Sequence, residues 1–166
     1  MLISVRNAAV QDAAVSAGLV NALTREICEA TNISHFDNDL PRTEKLCEEL
    51  IRQGHYTVLL GYADVALAGI ATITENYALY AGGKVGTVQE LYFVREMRSS
   101  GIGAALLNAI LARGKERDWA AIELCTPPLP QFEKTIAFYS RHGFTPVGGR
   151  KMRQYLSTTN SVSIIA

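Results

Sequence analysis

Six consecutive residues, Arg98, Ser99, Ser100, Gly101, Ile102 and Gly103, set a cation, two hydroxyls and two glycines at what reads as the start of a helix, with Ala104 following. The first N–H groups of a helix have no internal partner, and the aligned peptide dipoles favour a negative ligand there. Glycines carry no Cβ, so a phosphate-sized group can approach the backbone closely. Hydroxyls and a guanidinium add charge-assisted contacts. The chemistry this pattern suits is a diphosphate cradle. The same residues also describe an ordinary helix start, with Ser100 as N-cap and the glycines permitting close helix–sheet packing. Residue types alone leave both readings open.

The elements needed to present that loop are legible on either side of it. Residues 91–94 are an unbroken apolar run, Leu-Tyr-Phe-Val, within a central strand expected over 85–94. A helix is expected from Gly101 to about Glu116, with Ile102, Leu106 and Ile110 on one face and Leu107 and Leu111 widening it. A compact strand over 121–126 follows, so the helix reads as a crossover between neighbouring parallel strands. Upstream, the spacing predicts a strand over 2–6, a helix over 11–29 and a polar connection over 30–40. A second helix opens at Pro41 with Leu46, Leu50 and Ile51 as its buried stripe. Strands over 56–60 and 65–74 form a hairpin around residues 61–64, and a longer connection runs from 74 to 84. Downstream, Pro127, Pro128 and Pro130 interrupt strand pairing. A helix carrying Phe132, Ile136 and Tyr139 then ends at Gly143, and strands are expected over 144–147 and 151–156.

Composition narrows the function classes. The 166 residues suffice for one core and read as a single domain over 1–166, with 158–166 a flexible tail or a segment that docks on a second copy. Lys plus Arg and Asp plus Glu each total 16, so no global field selects nucleic acid or an anionic membrane. The three cysteines, Cys28, Cys47 and Cys125, are odd in number and lack close metal-ligand spacing. Neither a disulfide scaffold nor a metal site is expected. No long apolar run reads as a membrane span, and a cytoplasmic protein is the simpler expectation. His35 has no nucleophile or second histidine near it in sequence, and Cys125 lacks an evident histidine partner.

The loop at 98–103 resembles the acyl-coenzyme A loop of GCN5-related N-acetyltransferases, in which Arg or Gln is followed by two residues, Gly, one residue, and Gly or Ala. That family also places an apolar strand before the loop and an aromatic-Tyr-x-x-x-Gly-Phe segment after it. The latter is matched here by Phe138, Tyr139, Gly143 and Phe144. The resemblance implies an α/β fold with a mixed central β-sheet flanked by helices, acetyl-CoA as cofactor, and direct transfer of acetyl to an amine. Main-chain contacts to pantetheine are then expected from Tyr92, Phe93 and Val94, with an N–H near Val94 facing the thioester oxygen. Arg98, Ser99, Ser100, Gly101, Ile102, Gly103 and Ala104 are expected to hold the diphosphate. Where the family often has an Asn before the Tyr-bearing helix, this chain has Gln131.

The same resemblance assigns roles in catalysis. Tyr139 matches the family's general acid, able to protonate the departing sulfur. Glu90 occupies a position that is acidic in diamine- and polyamine-acetylating relatives, as a base or an anchor for the amine. Glu123 is a weaker substitute. Asp37 and Asp39 could draw a cationic amine, with helix capping as their other reading. Tyr77 and Tyr80 could line the substrate mouth. A small cationic amine is the favoured acceptor and a homodimer the favoured assembly. A protein or peptide amine, an aminoglycoside, and a regulator that binds acyl-CoA without turnover are the alternatives.

Overall fold

The computed structural model describes residues 1–34, 36–149 and 151–156. Five strands lie in the order β1 (Ile3–Asn7), β2 (Thr57–Ala63), β3 (Ala66–Ala78), β4 (Gly83–Phe93) and β5 (Ala121–Leu124). The first four pair antiparallel in sequence order, and β5 joins β4 in parallel. Helices α1 (Ala13–Thr31) and α2 (Leu40–Arg52) connect β1 to β2, α3 (Ile102–Glu116) is the crossover from β4 to β5, and α4 (Glu133–Arg141) follows β5. This is the mixed sheet flanked by helices that the sequence implied.

The two faces of the sheet bury different residues. On one, Val58, Leu60 and Ile70 pack against Leu19 and Val20 of α1 and Cys47 and Ile51 of α2. On the other, Leu59, Ala71, Ile73 and Val88 meet Ile102, Leu106, Leu107 and Ile110 of α3, and Phe138 and Tyr139 of α4 join that cluster. Leu106, Leu107 and Ile110 are wholly shielded from solvent, each burial being worth about 1.5–3 kcal/mol. α3 approaches closely because Gly61 and Gly69, paired across β2 and β3, lie beneath it. A Cβ on Gly61 would stand 2.8 Å from Ile102 Cδ1, and one on Gly69 2.8 Å from the Tyr92 carbonyl oxygen.

Several sequence expectations are corrected. The hairpin turn is Asp64–Val65, with Asp64 at φ 52°, because β2 continues through Gly61 to Ala63. β3 likewise runs through half of the expected connection. Leu46 is 52% exposed and outside the buried stripe of α2, where Ile51 faces the sheet as expected and Cys47 takes the place of Leu46. Residues 145–149 and 151–156 form no strand and are mostly exposed. Pro146 removes a ladder donor from the first of these segments, and Gly148 and Gly149, between the two, sit at φ 85° and 81°. The tail at 158–166 lies outside the described residues, as does His35.

Candidate active site

A single irregularity shapes the centre of the sheet. Thr72 pairs with Glu90 and Ile73 with Val88, so Gln89 is an extra residue in β4 with no counterpart in β3. Strict alternation would send Val88 and Glu90 to the same face. The bulge breaks that parity: Val88, Leu91 and Phe93 belong to the α3 side, while Tyr92 belongs to the side covered by α1 and α2. Glu90, one position before Leu91 and two before Tyr92, shares the Tyr92 side. Its carboxylate accepts a hydrogen bond from the Thr72 hydroxyl, which in turn accepts one from the Glu90 N–H at 3.1 Å.

Burial pushes the Glu90 carboxyl above the ordinary carboxylate range, with the Thr72 hydroxyl and the Lys151 charge acting the other way. Its surroundings stay neutral. The Tyr56 phenol and the Cys47 thiol are both raised, first by burial and then by the Glu90 charge. A carboxylate hydrogen-bonded by a hydroxyl and flanked by neutral donors is suited to hold an ammonium or to accept its proton.

The bulge also coincides with a gap in the sheet. β5 stops at Leu124, opposite Val88, whereas β4 continues to Phe93. Beyond Val88, then, β4 has no ladder partner on its β5 side among the described residues. The Val94 N–H bonds the Ala68 carbonyl at 2.9 Å, which turns the amides of Val94 and Tyr92 toward β3. By alternation, those of Leu91 and Phe93 face the gap. Of the three main-chain contacts expected from sequence, Phe93 alone points there. Tyr92 and Val94 turn their amides to β3, so an N–H near Val94 that faces the gap is that of Phe93 or Leu91 and not of Val94 itself. Leu91 was not among the expected contacts, because the direction of each amide depends on pairing register and not on residue type.

The loop after β4 reaches the start of α3 through a short 3-10 turn, Arg95–Met97. Ser99 takes φ 66° and Gly101 φ 95°. Gly101 is the N-cap of α3 and its carbonyl accepts the first helical bond, from Ala105 N at 3.0 Å. The N–H groups of Ile102, Gly103 and Ala104 have no partner among the described residues. The Ser100 hydroxyl donates to the Met97 carbonyl at 2.6 Å, so Ser100 is not the cap. Gly103 serves packing: a Cβ there would lie 3.0 Å from both Phe138 Cζ and Phe93 Cε1. Arg98 reaches away to α1, where Nη2 bonds both oxygens of Glu26 at 2.6 and 2.8 Å.

Tyr139 stands on the α3 side of β4, opposite to Glu90. Its ring meets Phe138 at 5.4 Å and Phe144 at 5.7 Å edge-on. Burial pushes its phenol up to about 12, and its hydroxyl makes no hydrogen bond among the described residues. Gly143, at φ 86°, ends α4 and turns Phe144 back, its N–H bonding the Tyr139 carbonyl at 3.1 Å. Gln131 is exposed just before α4.

Four other expected site residues are placed elsewhere or already engaged. Asp39 caps α2, accepting from Arg42 N at 3.1 Å, while Asp37 accepts from Asp39 N at 3.0 Å and pairs with the Arg42 guanidinium at 3.5 Å. Tyr77 and Tyr80 are 79% and 81% exposed. Tyr77 pairs with Lys84 near the start of β4, six positions and about 20 Å along the strand from Glu90. Tyr80 donates to Glu123 at 2.8 Å. The structure does not bring either tyrosine to Glu90.

A parallel strand pair that parts beyond Val88, with an unpaired amide edge leading to a helix start bearing three free N–H groups, is the arrangement that a family comparison can test. The acetyltransferase (GNAT) family model matches residues 20–144. The chain belongs to the GNAT family. It is accordingly an acetyl-CoA-dependent acetyltransferase. No curated protein matches the chain in sequence. Among solved structures it resembles ribosomal-protein-alanine N-acetyltransferase from Brucella melitensis biovar Abortus 2308, with 18% identity and a TM-score of 0.70 over 93% of this chain and 100% of that one. A predicted acetyltransferase with acetyl-CoA from Clostridium acetobutylicum gives 15% identity and a TM-score of 0.68, covering 92% and 96%. An aminoglycoside acetyltransferase from an uncultured soil metagenomic sample, in complex with sisomicin, gives 15% and 0.67, covering 94% and 95%. At these identities the likeness establishes the fold of this GNAT chain. No described helix is long and apolar enough to cross a membrane.

The residues present fit acetyl-CoA. The three unpartnered N–H groups at the α3 start suit the diphosphate, and the amides of Leu91 and Phe93 lie on the free edge of β4, where an extended amide chain can pair.

Proposed function

We propose that this GNAT enzyme acetylates a small primary amine, with Glu90 receiving the amine and Tyr139 serving the departing thiol. The observation that carries the reading is the bulge at Gln89, which turns a burial-raised carboxyl toward the α1 and α2 side just where the β4 edge becomes free. Bound acetyl-CoA supplies the activated acyl group. Glu90, oriented by the Thr72 hydroxyl, holds the incoming ammonium and takes its proton at a carboxylate oxygen. The Leu91 N–H, directed into the gap, would be the donor available to the thioester oxygen. Tyr139, whose phenol keeps its proton at neutral pH, would give that proton to the departing sulfur, and the second proton shed by the nitrogen on becoming an amide would restore the phenol by way of solvent. The neutral hydroxyls and thiol around Glu90 favour a compact acceptor bearing a single ammonium at this end. The diamine-like character rests on Glu90, since Asp37 and Asp39 already have partners.

The test is a panel of primary amines incubated with the protein and acetyl-CoA and read by mass spectrometry. A small amine should gain one acetyl group and free thiol should appear in equal amount. A protein that binds CoA while leaving every amine in the panel unmodified would be a binding module, and the proposal would fail.

A further inference from the structure

Arg98 is the side chain that the loop offers to a diphosphate, yet it is already bound. Glu26, near the C-terminal end of α1, accepts from Arg98 Nη2 through both carboxylate oxygens at 2.6 and 2.8 Å, and from Arg95 Nε at 3.3 Å. A single carboxylate thus gathers both arginines of the loop, 69 and 72 residues away in sequence. The Glu26 side chain is 20% exposed, the guanidinium-bearing chains 63% and 41%. The carboxylate is therefore the more fixed partner, and the arginines are free to turn.

We infer that Glu26 is a built-in competitor for the cofactor diphosphate, and so sets the affinity and discrimination of this enzyme for CoA. The inference rests on the reading that the loop at 98–104 holds the diphosphate. A carboxylate and a phosphate present the same planar, anionic acceptor edge to a guanidinium. Arg98 Nη2 gives both of its N–H groups to Glu26, so a phosphate can take that nitrogen only by displacing the carboxylate. When CoA arrives, Arg98 exchanges Glu26 for a phosphate oxygen, and Glu26 is left near the start of the loop. The affinity of CoA is then the intrinsic affinity of the loop less the work of breaking the carboxylate pair. Pantetheine, which has no phosphate, asks nothing of Arg98 and is indifferent to Glu26.

The test compares CoA with pantetheine. Binding of each is measured by calorimetry to the full chain and to Glu26→Gln, which keeps the shape and hydrogen-bonding capacity of the side chain but not its charge. The dissociation constant for CoA should fall about three- to tenfold, on the scale of an exposed charge-assisted pair, and that for pantetheine should not change. A chain with Arg95→Ala and Arg98→Ala provides the second arm. There Glu26→Gln should alter CoA affinity less than twofold, because the arginines that Glu26 holds are gone. A gain that persists in that background would mean plain charge repulsion and would overturn the inference, as would unchanged CoA affinity in the single variant. The underlying loop reading fails separately: CoA and pantetheine would then bind the parent chain with equal affinity. Thermal unfolding of each variant confirms that the chain measured is folded.

Discussion

Replacing Gly103 with alanine separates two explanations of the loop glycines. One holds that Gly103 lets a phosphate approach the backbone; the other that it lets α3 approach two aromatic rings. The added Cβ would stand 3.0 Å from Phe93 Cε1 and 3.0 and 3.2 Å from Phe138 Cζ and Cε2. Ordinary carbon contacts begin at 3.4 Å, so both ring edges must give by a few tenths of an ångström. Those rings already meet edge-on, centroids 5.9 Å apart. Overpacking of this kind costs about 1–3 kcal/mol. Taking the middle of that range, about 2 kcal/mol, and returning up to about 1 kcal/mol of helix propensity with alanine leaves a loss of about 1–2 kcal/mol. For a chain of this size, that lowers Tm by about 2–8 °C. Phe138 adjoins Tyr139 on α4, so displacement of its ring also shifts the phenol.

The assay is thermal and urea unfolding of Gly103→Ala, with CoA affinity measured alongside. The expected outcome is a lower Tm with CoA affinity within about twofold of the parent, since the N–H groups of α3 keep their places. Combining the change with Phe138→Leu removes the ring edge that the methyl meets. The double variant should then be more stable than the sum of the two single losses by about 0.5–1 kcal/mol, as coupled neighbours are. An unaltered Tm together with a tenfold or greater loss of CoA affinity would refute the packing explanation and restore the phosphate one. Strict additivity with Phe138→Leu would refute it as well.

Three further outcomes follow from the ionisable groups. Tyr139→Phe keeps the ring packing and removes only an unpartnered hydroxyl, so Tm should hold while kcat falls about a hundredfold or more; an unchanged kcat would remove Tyr139 from proton transfer. Glu90 has a raised folded-state pKa, so its contribution to stability is present below about 4.5, the unfolded value, and is lost as pH rises through the folded one. Urea titrations should therefore show Glu90→Gln gaining stability relative to the parent as pH rises from 4.5 toward neutrality, together with a fall in kcat. Glu75 behaves in the opposite sense, held down to about 2 by hydrogen bonds from Arg117 and Trp119. Its contribution is present above about 4.5 and disappears as pH falls toward 2, so the stability difference between parent and Glu75→Gln should close over that interval.

What the sequence disclosed was governed by how local the deciding interactions are. The helix start at Gly101, the cap by Asp39 on a backbone N–H three residues on, and the stop at Gly143 all depend on neighbours a few residues apart, and each could be read from residue type. The order of strands and helices through α4 was similarly legible from apolar spacing. The partners of Arg98 and Tyr80 lie 72 and 43 residues away, and nothing in spacing points to them. Tyr77 and Tyr80 were misplaced because β3 extends to Ala78, which carries them to the far end of the sheet from Glu90. The strands expected over 144–147 and 151–156 had suitable apolar residues, but Pro146 deprives the first of a ladder donor, and neither segment pairs with a strand among the described residues.

Gln89 is the residue on which most of the site depends, and its importance could not be read from its type. Its side chain donates to the Thr74 hydroxyl at 2.9 Å, an exposed contact that any strand surface could contain. Its backbone position matters more. Were Gln89 held in regular alternation within the ladder, Glu90 would share the side of Val88, packed against α3, where Ile102, Leu106 and Ile110 offer an ionisable group only apolar neighbours. The inserted residue instead turns the carboxyl toward Thr72, Tyr56 and Cys47, while Leu91 and Phe93 remain anchored in the α3 core with their amides toward the gap. Parallel pairing with β5 ends at Val88, the position immediately before the insertion. The bulged conformation at Gln89 thus bears on both halves of the site: it keeps the acid on the face opposite Val88, and it marks where the edge beside it becomes free.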